Sequence, residues 1–156
     1  MSNDIANSIS GLLEVKNIVL VTEPKAQKGE LIKKLVSLAC DDLSEIDKNE
    51  ILERVLKRED GISTTLDTGL SLPHCRADEV KESKAALAVI PAGIKDPVAG
   101  NTDIKVMFLF VSPSNPAFFQ KHLQILAAVS EKFKESFIQK LLKAKNTQEI
   151  KKLINE

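Results

Sequence analysis

Two segments of this chain, "KAALAVI" at 84–90 and "IKVMFLFV" at 104–111, are almost unbroken in apolar residues. A strand with one face in water alternates apolar and polar side chains, so runs like these belong to strands covered on both faces. The longest, "VMFLFV", is far shorter than the ~20 residues a membrane-spanning helix requires. The chain therefore needs helices to cover a sheet, and the rest of the sequence supplies them.

"NIVLV" at 17–21 reads as a strand closed by Thr22-Glu23-Pro24. From Lys28 to Ala39, the apolar set Leu31, Ile32, Leu35, Leu38 and Ala39 then falls on one helical face. A second helix is expected to start on a capping box of Asp47 and Glu50, to bury Ile51, Leu52, Val55 and Leu56, and to stop at Gly61. Short β-like segments follow, "GISTTL" (61–66) and "GLSL" (69–72), before the two apolar runs. In "SPSNP", Asn115 suits an N-cap and Pro116 a first helical position, predicting a helix over 116–131. Further helical stretches are expected at 134–144 and after a capping Thr147. Residues 1–10 are polar and are expected to be flexible, or to form a short helix running toward Leu13.

No internal repeat or linker interrupts this order, so residues 1–156 are expected to form one domain. The fold class is α/β (α+β), a mixed sheet of about five strands flanked by helices. Mixed strand direction follows because the middle strands are too close in sequence for helical crossovers.

Lys plus Arg and Asp plus Glu both number 22, which removes the charge footprint of a nucleic-acid binder or a polybasic membrane protein. Cys40 and Cys75 are too few for a disulfide framework, and "MSNDIANSIS" does not read as a signal peptide, so a reduced, cytoplasmic protein is expected.

The chemistry centres on the chain's two histidines. His74 follows Pro73 in "LDTGLSLPHCRADE"; proline cannot donate to a ladder, so the strand is expected to end there and present His74 at its tip. His122 shares a helical face with Leu126, Val129 and Phe133, near the start of its helix. A turn histidine and a satisfied core histidine are the plain readings. A metal site lacks ligands at suitable spacing, and His74 and Cys75, adjacent on an extended chain, point to opposite faces. A thiol–imidazole pair of Cys75 and His122 has no oxyanion hole marked beside it. Phosphoryl transfer through a neutral imidazole needs only donors or positive charge nearby, for which Arg58 and Arg76 are candidates.

"LKRED…STTLDTGLSLPH", followed about 48 residues after its histidine by "KHLQILAAVSE", resembles the enzyme IIA domains of the bacterial phosphoenolpyruvate-dependent sugar phosphotransferase system. The similarity is to the fructose/mannitol branch and its nitrogen-related regulatory paralogue, over roughly residues 15–155. It implies a mixed sheet with helices on both faces. His74 would accept phosphate from the carrier HPr or its paralogue, His122 would be the second active-site histidine, and Arg58 would stabilise charge. Arg76 has no firm counterpart. The acceptor would be a IIB domain or a regulatory target protein, with no metal or cofactor. The chain is expected to be free-standing, which fits the regulatory branch as well as sugar uptake. Leu66-Asp67-Thr68-Gly69-Leu70-Ser71 stands where the family carries more glycine, so Asp67 is expected to alter the pocket rim. That departure motivates an alternative, a non-catalytic binding module that signals by contact alone.

Overall fold

The computed structural model describes residues 9–23 and 26–156. The expectation for residues 1–8 lies outside these; residues 9–12 are helical. After strand β1 (Ile18–Leu20) come helices α1 (Lys28–Ala39) and α2 (Glu45–Gly61). Four strands follow: β2 (Leu70–Ser71), β3 (His74–Ala77), β4 (Lys84–Asp96) and β5 (Thr102–Pro113). A 3-10 turn, Pro116–Phe118, leads into α3 (Phe119–Lys132), α4 (Glu135–Leu142) and α5 (Thr147–Asn155). Among the described residues no helix is long and apolar enough to cross a membrane.

The five strands form one mixed sheet in the order β1-β4-β5, with β2 and β3 both on the outer side of β5. β1 runs parallel to β4, β4 antiparallel to β5, and β2 and β3 parallel to β5. The apolar runs are the two central strands, and their alternate residues feed two separate cores. Ala86, Ala88 and Ile90 with Met107, Leu109 and Val111 pack against α1 and α2. Leu87 and Val89 with Val106, Phe108 and Phe110 pack against α3, α4 and α5. Each fully buried Leu, Val or Phe contributes roughly 1.5–3 kcal/mol, which is why neither face tolerates alternation with polar residues.

Four expectations need correction. "GISTTL" is not a strand: residues 62–66 form a loop whose hydroxyls bond to buried carboxylates rather than to a ladder. The strand lane does not end at Pro73. Leu70 pairs with Val106 and His74 with Phe110, so β2 and β3 keep one register across the break, and the Pro73 carbonyl still accepts from the Phe110 amide at 3.1 Å. α2 starts earlier than Asp47, capped by Ser44, whose hydroxyl accepts from the Asp47 amide. The cap of α5 is Asn146 rather than Thr147. β4 and β5 also run on beyond the apolar segments, with an irregularity between Val89 and Ile94 where Pro91 cannot donate and Gly93 takes a φ of +72°.

Candidate functional site

His74 and His122 meet on the α3 side of the sheet, next to β5. His74 opens β3 opposite Phe110, and the helical spacing of α3 aims His122 from its first turn back at the same strand. Their ring centroids are 5.5 Å apart, and the His122 ring stacks on Phe110 at 5.1 Å with a 21° tilt. Both are buried, with 8 % and 5 % of their surfaces exposed.

The backbone at Leu72 fixes the tautomer of His74. In this lane the carbonyls of Gly69 and Pro73 point at β5, so the polar groups of Leu72 face the outer edge. The Leu72 carbonyl lies 2.6 Å from Nδ1 of His74. A carbonyl only accepts, so Nδ1 carries the proton and Nε2 keeps a free lone pair. The Leu72 amide donates to the Thr64 hydroxyl, which itself donates to Glu59 at 2.8 Å.

Nδ1 of His122 is bonded to the hydroxyl of Ser112, 2.5 Å away and itself 1 % exposed. A hydroxyl can donate or accept, and the tautomer in which Ser112 donates is the one that leaves Nε2–H of His122 as a donor beside the first imidazole. Burial lowers the pKa of His74, and the Arg58 charge lowers it further, against raising contributions from the Leu72 carbonyl and Glu59. Burial, then His74, Arg76 and Arg58, bring His122 down to about 4. At neutral pH both rings are uncharged, and each has one nitrogen bonded and one left over.

Arg58, in the last turn of α2, is exposed, and its charge reaches both imidazoles. Cys75 is not part of the pair. It packs in the core under α1 and α2, on the opposite face of the sheet, and burial raises its thiol to about 11. Among the described residues no group of three or more His, Cys, Asp or Glu is placed to hold a metal ion. Asp67 sits in the tight turn in which the Gly69 amide donates to the Leu66 carbonyl, just before β2. The charges that act on the imidazoles are those of Arg58, Arg76 and Glu59. Gly69 is needed there for geometry: its φ is +95°, and an added Cβ would stand 3.2 Å from the Lys105 side chain.

Sequence reasoning missed a second buried cluster that anchors the loop before β2. Lys28 Nζ pairs with Asp96 at 2.9 Å and Glu59 at 3.1 Å. Asp96 also accepts from the Ser63 and Thr65 hydroxyls, and its other oxygen accepts from the Val98 amide at 3.0 Å. Burial alone would raise the Asp96 carboxyl, but these bonds outweigh it and hold it well below the usual carboxylate range. Ser112 was also missed, although a hydroxyl ending the run "VMFLFV" is a readable signal.

A mixed sheet between helix layers with two neutral imidazoles at one strand lane defines a class, and the sequence agrees with it. Over residues 12–156 the chain matches the family described as "Phosphoenolpyruvate-dependent sugar phosphotransferase system, EIIA 2", and it belongs to that family. A curated relative, the fructose-specific EIIA component of the phosphotransferase system from Haloferax volcanii, is 30 % identical over 140 residues, covering 89 % of this chain and 90 % of that protein. The nitrogen regulatory protein IIA-Ntr of Neisseria meningitidis superposes with a TM-score of 0.81 at 23 % identity, over 94 % of this chain and 99 % of that one. The mannitol enzyme IIA of Escherichia coli, in its complex with phosphorylated enzyme IIB, gives 0.74 at 18 % identity, over 92 % and 96 %. The two structures, each under 25 % identical, support the fold.

Proposed function

We propose that this chain is a phosphoryl carrier that takes phosphate from histidine-phosphorylated HPr, or a nitrogen-related paralogue of it, onto Nε2 of His74. The observation that carries the reading is the locked, neutral imidazole: Nδ1 held by a carbonyl, Nε2 free, and a second neutral imidazole 5.5 Å away. As the bond from Nε2 to phosphorus forms, the donor's nitrogen–phosphorus bond breaks and its electron pair returns to the donor imidazole. His122 orients the phosphoryl group through Nε2–H, and Arg58 offsets the charge on its oxygens. The reaction needs no metal or other cofactor.

A protein donor suits the surroundings. Phe119 and Leu123 flank His122 on α3 and are about half exposed, while Ile62 and Leu66 are exposed on the loop beyond Arg58. Exposed large apolar side chains are what a protein partner buries on docking. The acceptor is a IIB domain, as in the mannitol complex, or a regulatory target whose binding follows the phosphorylation state, and both are reached in the cytoplasm. The alternative, a binding module that signals by contact without transfer, rests on Asp67 and the glycine-poor loop around it.

The test is incubation with phosphoenolpyruvate, enzyme I and HPr, followed by assay of acid-labile, base-stable phosphate. Label on the wild type and none on His74→Ala is the expected result. A wild type that takes no label from any HPr paralogue sinks the reading and leaves the binding module.

A further inference from the structure

Arg76 has no part in the transfer described above, yet it is the most firmly held cation near the imidazoles. From β3 its side chain crosses to the corner where β5 gives way to α3. Nε donates to the Pro113 carbonyl at 3.3 Å, and a terminal nitrogen donates to the Asn115 carbonyl at 2.8 Å. The guanidinium lies over the Phe119 ring, 5.1 Å from its centroid. Asn115 caps the turn Pro116–Phe118, its side chain accepting from the Ala117 amide, and that turn leads directly into α3. One planar fork thus ties the strand that carries His74 to the turn that leads into the helix carrying His122. Both oxygens it bonds are neutral carbonyls, so these bonds leave its positive charge uncancelled.

The two arginines divide the site between them. Arg58 is the arginine whose charge acts on His74, whereas at His122 the charge of Arg76 acts more strongly than that of Arg58. A lysine in the same place would supply a point charge but not two bonds in fixed directions.

We propose that Arg76 is a positioning residue of the phosphoryl site: its two carbonyl bonds fix the β5–α3 corner that sets His122 against His74, and its guanidinium is the fixed cation on the His122 side. The role in transfer rests on His74 being the phosphoryl acceptor; the effect on His122 does not.

The experiment uses Arg76→Gln and Arg76→Lys in the full chain, with two readouts. One is the titration of the His122 ring by NMR in unphosphorylated protein, where the charged groups acting on it are His74, Arg76 and Arg58. The other is the rate at which His74 is labelled by phosphoramidate, which passes its phosphoryl group to imidazole and leaves as ammonia. In Arg76→Gln the His122 midpoint is expected to rise and labelling to slow about tenfold. In Arg76→Lys the midpoint stays low while labelling remains slow, which separates the clamp from the charge. A glutamine variant that keeps both the midpoint and the rate overturns the proposal, even if it unfolds more easily. So does a lysine variant that labels at the wild-type rate. A wild type that phosphoramidate does not label counts against His74 as acceptor, and the His122 midpoint in Arg76→Gln then decides the role of Arg76.

Discussion

Lys28, Glu59 and Asp96 are as deeply buried as His74 and His122, yet the two clusters are assembled on different terms. In the first, one ammonium meets two carboxylates, and hydroxyls and amides take up further carboxylate oxygen sites. Nothing there is left free to react; it holds the 62–69 loop in shape. In the second, no carboxylate among the described residues bonds to a ring, burial outweighs the pull of Glu59 and keeps the rings uncharged, and each has one nitrogen bonded and one in reserve. The loop that the first cluster anchors runs through Thr64 to Leu72, and the Leu72 carbonyl orients His74. Charge pairing supplies rigidity at one place so that charge can be withheld at the other.

The largest effect is expected from breaking the ionic cluster. Lys28→Met leaves two buried carboxylates unpaired and should cost about 3–5 kcal/mol in urea unfolding at pH 7. A loss below 1 kcal/mol would show that the cluster is not the anchor.

Acid should weaken the imidazole pair next. His122 binds its proton at about 4 when folded and near 6.5 when unfolded, so its contribution is full above about pH 6.5 and is lost as the pH falls toward 4. That difference amounts to about 3 kcal/mol. His122→Gln should flatten the fall in stability between pH 7 and pH 4.5, measured against the wild type.

Ser112→Ala removes the partner of His122 Nδ1 and is expected to cost about 1–3 kcal/mol and to slow phosphoryl acceptance by His74. Stability and transfer should fall together, unlike the Lys28 variant, where stability leads. Asp67→Asn should do least: both imidazole titrations and the labelling rate are expected to be unchanged. A shift in the His74 midpoint would return Asp67 to the rim of the site.

Much of the fold was legible because burial imposes period. The near-continuous runs of β4 and β5 announced a sheet covered on both faces, and the spacing in 28–39 gave α1 its bounds. Both histidines were legible as residue types at unusual places. What the sequence hid were contacts between distant residues. Lys28, Glu59 and Asp96 lie in three separate segments, and no local rule links a lysine at the start of a helix to an aspartate at the end of a strand. The resumption of the strand after Pro73 was hidden for another reason. Proline lacks a donor but keeps its carbonyl, and that carbonyl carries the ladder across.

That uninterrupted register also makes the site a matter of odd and even. His74 pairs with Phe110 on the α3 side of the sheet, and Cys75 pairs with Val111 on the other. Deleting one residue between Gly69 and Pro73, with the β3–β5 pairing slipped by that one step, would bring the thiol to the α3 side and turn the imidazole into the opposite core. The reactive atom presented there would change from nitrogen to sulfur through length alone, with His74 and Cys75 both still present.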